Sequence, residues 1–486
     1  MNFLSIEFVI FVFVVAVINY ILPQRIRTIG LLAGSLVFYY IGSKQFIGLL
    51  AVICFVTYLF GWLIEKYKKK YFYLFGVLSV LVALVYFKYF TFMLDVLQRF
   101  FTIETNNVKF EDMIVPLGIS FMTFQAISYL GDIYYGKMRA ERDFTIVALQ
   151  VCFFPNVTSG PIQKARNFIP QLKDRAKFDY ELVKHGLLLY SFGGLQKYYI
   201  SDKLAPIIDN MLSDVMSQES NAGFHYLIFA FTYAIYIYSN FNSYSDMAIG
   251  IAQILGMKFS ENFRRPYLSQ SIKEFWQRWH ISLNSWFVEY VYIPLGGSRK
   301  GKIRYFINII VVFFASGLWH GASLHYIAWG LLNAGYQIVG NITSGFRNKV
   351  YEKLKVNPMS PIVVVWKRFC VFYLISVSWI FFAVPGTQAS IKFVVSMLFP
   401  SALTLFDGWF FGQFDSVSAM VSLLGTVLIF SFIQVQREKT SISKKIEKEP
   451  IIVRYTIYTV IVVMLLFGFF GTFTGAGNGG FIYGDF

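Results

Sequence analysis

Long apolar runs separated by short polar and basic stretches dominate the chain. A bilayer core of roughly 30 Å takes about 20 apolar residues as helix, and backbone hydrogen bonding leaves helices as the spanning element for such runs. The pattern predicts spans near 3–22, 28–42, 46–64, 71–94, 114–134, 185–200, 223–241, 305–321, 326–342, 369–384, 418–434 and 451–471. Shorter apolar pieces near 144–161, 246–257 and 391–400 read as re-entrant or interfacial. The first span has no small-residue cleavage site, so it reads as an anchor and not as a removed signal peptide. The expected fold is an all-α polytopic membrane protein of about 11–12 transmembrane helices.

Basic residues set the orientation. Arg25 and Arg27, the run 66–70, Lys137, Arg139 and Arg142, the stretch 164–177, Arg264 and Arg265, and the stretches 299–304, 347–355 and 437–448 all fall between spans. Basic loops stay cytoplasmic, and the predicted spans satisfy every cluster when the N-terminus and the tail 475–486 are extracytoplasmic. The expected organisation is one integral-membrane domain, 1–486. It comprises N-terminal spans 1–110, a core 111–343, C-terminal spans 344–474 and the tail.

Composition then excludes other classes. Only 14% of residues are charged, against about 25% in an ordinary soluble domain. The net charge of +16 would suggest nucleic acid on a soluble chain, but here it is the charge of membrane loops. Cys54, Cys152 and Cys370 are scattered without C-x-x-C spacing, which argues against a disulfide framework or a zinc ribbon.

The most informative stretch is 261–300. Ile272, Phe275, Trp276, Trp279, Leu283, Trp286, Phe287 and Tyr290 recur at three- and four-residue steps and predict one amphipathic helix. Ser269 or Ser271 can cap its start, and the Pro294-Leu-Gly-Gly turn ends it. One reading is a Trp-anchored interfacial helix. The other adds a cytoplasmic mouth for an anionic, adenine-containing donor, since Lys and Arg suit phosphates and Trp suits a stacked ring. Lys273, Trp276, Arg278, Trp279 and Trp319 are the donor-binding candidates.

Forty positions after His280 comes His320, deep in the span that starts near Arg304. An ionisable side chain at such depth is a functional hypothesis by default. A neutral buried imidazole is also the general base that an O-acyl transfer needs. Gly317 and Gly321 leave room for a substrate or permit close helix packing. His280 lies nearer the cytoplasmic surface, where donor positioning and catalysis are both open. His185 and His225 sit near span ends, and His325 follows His320 by five residues, which is not metal-pair spacing. No protein-bound metal or cofactor is expected. The run 475–480 fits G-x-G-x-x-G but lacks a βαβ context, and the sequons at Asn156 and Asn341 fall at or inside the membrane or on its cytoplasmic side.

Five segments carry a resemblance: PLGISFMTFQ (116–125), FPNVTSGPI (154–162), NFNSYSDMAIG (240–250), FWQRWHIS (275–282) and LWHG (318–321), with FIYGDF at 481–486. Together they resemble the membrane-bound O-acyltransferase family, in its bacterial branch of alginate and peptidoglycan O-acetyltransferase membrane subunits. The resemblance runs from about residue 116 to 337 and includes the C-terminal residues. It implies a helical bundle in which a cytoplasmic donor tunnel meets an extracellular funnel near the family's histidine, here His320, with His280 as the second. It also implies acetyl-CoA as donor substrate and an extracytoplasmic esterase-like partner that delivers the acetyl group to a polysaccharide. Gly484 stands where the family often has an aromatic.

Tyr483 is then a candidate acetyl carrier at the outer funnel, and the alternative is that the tail docks the partner or plugs the funnel. The expected function is O-acetylation of cell-wall or extracellular polysaccharide by an enzyme of the bacterial cytoplasmic (inner) membrane. The rivals are D-alanyl transfer to teichoic acid from a carrier-protein thioester, lipid acylation, and a transporter without covalent chemistry.

Overall fold

The computed structural model describes residues 2–98, 114–158, 160–174, 177–217, 223–398, 407–439 and 442–473. Among them are helices and turns and no strand. Six stretches are long and apolar enough to cross a bilayer: Ile26–Tyr67, Lys70–Gln98, Lys302–His320, Pro361–Ala383, Val417–Gln436 and Ile451–Gly471. The chain is an all-α, multi-pass membrane protein. The stretch Ile26–Tyr67 contains two of the expected spans, parted by a 3₁₀ turn at Lys44–Phe46.

The chain divides into two compact units, Met1–Tyr190 with Ser245–Ser260, and Ser191–Tyr244 with Glu261–Phe486. The first begins with α1 (Ile6–Ile21), α2 (Gln24–Ser43), α3 (Ile47–Tyr67), α4 (Lys70–Leu84) and α5 (Phe90–Gln98). It continues with α6 (Ile119–Tyr134), α7 (Phe144–Cys152), α8 (Phe154–Val157), α9 (Ala165–Lys173) and the start of α10 (Tyr180–Gln196). Helix α6 buries every residue from Ile119 to Ile133. A helix enclosed on all sides tolerates polar side chains only where the protein supplies partners, and Gln150 of α7 donates to the Gln125 side chain at 3.2 Å. Such residues lower the apolarity of α6 although it lies at the centre of its unit. Buried Arg27 donates to the carbonyls of Leu172 and Asp174, closing the C-terminus of α9.

Helices α11 (Asp202–Ser217) and α12 (Gly223–Ile254) follow. The expected span 223–241 and the separate piece 246–257 thus belong largely to one helix of 32 residues. The polar run Asn240–Asp246 parts them on a hydropathy scale, but it is buried among protein groups and does not interrupt the backbone ladder.

The second unit adds α13 (Ile272–Arg278), α14 (Ile281–Phe287), α15 (Lys302–His320), α16 (Leu324–Ile342), α17 (Ser344–Lys353) and α18 (Pro361–Ala383). It ends with α19 (Thr387–Leu398), α20 (Trp409–Gly412), α21 (Val417–Lys439), α22 (Ile442–Ile446) and α23 (Ile451–Phe473). Its core is aromatic and lies where α13, α16 and α18 meet, with Trp279, Trp329 and Trp379 almost wholly enclosed. Helix α23 exposes Ile452, Leu466, Phe467 and Phe470, the surface a lipid-facing helix presents.

Candidate functional site

The predicted amphipathic helix over 272–290 is broken in the middle, and the break makes the site. Ser271 caps α13 by accepting from the Glu274 amide at 3.1 Å, and Glu274 accepts in return from the Gln270 amide at 2.8 Å. After Arg278 the backbone opens: Trp279 is extended and His280 adopts φ 41°, ψ 57°. The preceding loop takes the freed backbone groups. Arg264 donates its amide to the Arg278 carbonyl, and Ile281 donates to the Asn262 carbonyl, both at 2.9 Å. Periodicity registered the shared apolar face but not this competing partner. Asn284 then ties the two pieces by donating to the Trp276 carbonyl at 2.7 Å.

The turn drives His280 into the core at 2% exposure. Its ring lies edge-on to Phe241 at 4.7 Å and 5.9 Å from Trp319. Among the described residues neither ring nitrogen has a hydrogen-bond partner. His280 lies outside the six spans. Burial pushes its imidazole down to about 3, so the ring is neutral at ordinary pH.

His320 ends α15 and is also buried, with rings of Trp319, Trp329 and Phe382 within 4.7–5.0 Å. Tyr305, Ile309, Val312, Ser316 and His320 follow one another at three- and four-residue steps and form a single face of α15. That face and the broken α13–α14 pair enclose a cavity of about 320 Å³. The cavity runs from exposed Lys273 and Gln277 to the two buried histidines. Lys273, Trp276, Trp279, His280 and His320 line it together.

Arg278 and Trp319 are placed otherwise. Arg278 pairs with Glu274 at 2.7 Å, and Trp319 packs beside the two imidazoles without lining the cavity. Ser316, Asn284 and Gln337 also line it and were not anticipated. Ser316 was within reach of sequence reasoning, because i and i+4 share a helix face.

Of the two readings of the glycines, the structure supports helix packing. A Cβ on Gly317 would lie 2.4 Å from the Tyr326 carbonyl oxygen, and one on Gly330 would lie 2.3 Å from that of Phe313. At Gly321 it would meet the Tyr326 ring at 2.2 Å. Helices α15 and α16 thus touch at backbone distance and hold His320 rigidly.

The sequence model of the membrane-bound O-acyltransferase family matches residues 148–384. The probable alginate O-acetylase AlgI of Azotobacter vinelandii is 32% identical over 396 residues, which cover 80% of this chain and 76% of the relative. The chain belongs to the membrane-bound O-acyltransferase family. The peptidoglycan O-acetyltransferase of Helicobacter pylori is 30% identical over 398 residues, 76% of this chain and 73% of the relative. The teichoic acid D-alanyltransferase of Bacillus subtilis is 29% identical over 266 residues, 52% of this chain and 66% of the relative.

Both cavity-lining histidines of this O-acyltransferase fall inside the matched region. The other three are engaged elsewhere: His185 with Gln253 at 2.7 Å, His325 with Ser323 at 2.8 Å, and His225 with Asp407 at 2.7 Å. Tyr483 lies outside the described residues.

Proposed function

We propose that this membrane-bound O-acyltransferase takes acetyl groups from cytoplasmic acetyl-CoA and passes them outward for O-acetylation of a cell-wall or extracellular polysaccharide. The single observation that carries the reading is the cavity, which is lined both by exposed Lys273 and Gln277 and by two buried histidines. Its α15 face from Tyr305 to His320 is about 22 Å long at 1.5 Å per residue. A thioester on a flexible arm suits such a passage, whereas the charged remainder of the donor stays at the mouth. Lys273 lines that mouth, and the basic stretch 299–304 begins one residue after Ser298, which also lines the cavity. The basic-loop count favours placing this end in the cytoplasm and both termini outside, in a bacterial cytoplasmic or inner membrane.

In this scheme His320 takes the proton of the acceptor hydroxyl as its oxygen attacks the thioester carbonyl. The new C–O bond forms, the C–S bond breaks, and the proton passes on to the departing thiolate. His280 and Trp276 hold the donor arm. An extracytoplasmic esterase-like protein is the proposed partner that completes delivery.

D-alanyl transfer from a carrier-protein thioester is the second reading, favoured by the teichoic acid D-alanyltransferase relative. The protein in nanodiscs, given acetyl-CoA or a D-alanyl carrier protein, separates the two by release of free thiol. Thiol release from acetyl-CoA that depends on His320 is expected. Release from the loaded carrier alone would overturn the acetyl reading.

Tyr483 is proposed as the outer carrier, receiving the acetyl group as an aryl ester. Tyr483→Phe keeps the ring and removes the nucleophile, so it should abolish polysaccharide O-acetylation while partner binding persists. Normal acetylation by that variant would leave the tail a docking role only.

A further inference from the structure

The segment Asn240–Tyr244 has no part in the chemistry above, yet it is buried and its Phe241 meets a site histidine. Between α10 and α11 the chain makes a π turn, Lys197–Ser201. A buried ion pair, Lys197 with Asp202, closes that turn, and the Lys197 ammonium sits 5.6 Å from the centre of the Tyr244 ring. Two side-chain amides of α12 reach across to the same segment. Asn242 donates to the Gln196 side-chain oxygen at 2.8 Å, and Asn240 donates to the Ser201 hydroxyl at 2.9 Å. Between those two asparagines is Phe241, fully buried, and its ring meets the His280 ring at 4.7 Å and 85°.

We infer that this pair of amide bonds is a positioning device for His280, acting through Phe241. Successive helix residues are about 100° apart, so Asn240 and Asn242 flank Phe241 on the surface of α12. A bond at each blocks rotation of the helix in either sense. His280 has no hydrogen bond among the described residues to fix its ring, so the neighbouring rings set its orientation, and Phe241 is the nearest of those measured. The ion pair stiffens the turn that contains Ser201 and directly follows Gln196, the two acceptors. A desolvated pair in such a place sets register more than it adds stability.

The inference rests on His280 holding the donor, and the test separates the two claims. Single-turnover thioester cleavage is measured in nanodiscs for Asn242→Ala, His280→Gln and the double variant, with Phe241→Leu as a parallel arm that leaves the amides intact. Misplacing a site group by about 1 Å costs up to roughly 100-fold. Asn242→Ala and Phe241→Leu should each lower donor kcat/KM by roughly 10-fold, mainly through KM. In the His280→Gln background neither should cost more, because their route to the donor is already cut. Exchanging the partners, Gln196→Asn with Asn242→Gln, should restore most of the loss. Equal fold losses in both backgrounds, or no loss with His280 intact, overturn the positioning role. His280→Gln without any effect would instead sink the donor role of His280, and the inference with it. Should Asn242→Ala fail to accumulate, the Phe241→Leu arm decides by the same criterion.

Discussion

His320→Ala and His320→Gln are both expected to abolish acyl transfer while the protein still inserts and accumulates. Removing a general base costs roughly 10²–10⁴-fold, and among the described residues His280 is the one other histidine that lines the cavity. The two substitutions differ in a useful way. Alanine leaves a hole among Trp319, Trp329 and Phe382, which by itself destabilises a packed core. Glutamine fills much of that space and offers an amide, but it cannot accept and release a proton near neutral pH. Equal loss in both variants at matched protein levels therefore assigns the effect to chemistry. The readout is acetyl content of the polysaccharide in cells and thiol release by the purified protein. Wild-type transfer by His320→Gln would remove the base role.

His280→Gln carries the second largest expected effect, and its signature is different. The KM for the donor should rise roughly 10-fold or more, with a smaller change in kcat, because a positioning group contributes to binding the arm. Burial holds the folded imidazole near 3, below its ordinary 6.5. Between these values the unfolded chain binds the extra proton and the folded chain does not. The stability associated with a neutral His280 is therefore complete above about pH 6.5 and is lost as pH falls towards about 3. Melting temperatures of the wild type should drop on acidification more steeply than those of His280→Gln, which has no titrating group at that position. Parallel melting curves across pH 4–8 would show that His280 is not desolvated as described. The same neutrality predicts that no ionisation of His280 appears in the pH profile of transfer above pH 5.

The histidines show how far the sequence reading reaches. Depth along a span was enough to single out His320 as a candidate, because burial of an ionisable group is costly wherever it occurs. His280 was visible as a candidate through its Trp-His pair, but its depth was not. Its burial depends on the loop at Asn262 and Arg264 taking the backbone bonds that would have continued the helix. Arg278 illustrates the opposite case. A cation between aromatics reads as a phosphate ligand, but its neighbour Glu274 is one helical turn away and engages it.

Apolar run length by itself determined the helical, membrane-spanning class, while the basic clusters pointed to an orientation and the Trp-His pairs to two candidate histidines. These are properties of short segments, because hydration and loop charge act on each segment independently of the rest. Only the tertiary structure decided that the 272–290 helix breaks at His280, that Gly317 and Gly330 serve helix contact, and that His280 and His320 line one cavity. Each of those outcomes is a competition between a local helix and a partner distant in the chain. Periodicity reports which face of a segment is apolar, but it contains no term for the backbone or ring that arrives from elsewhere to meet it.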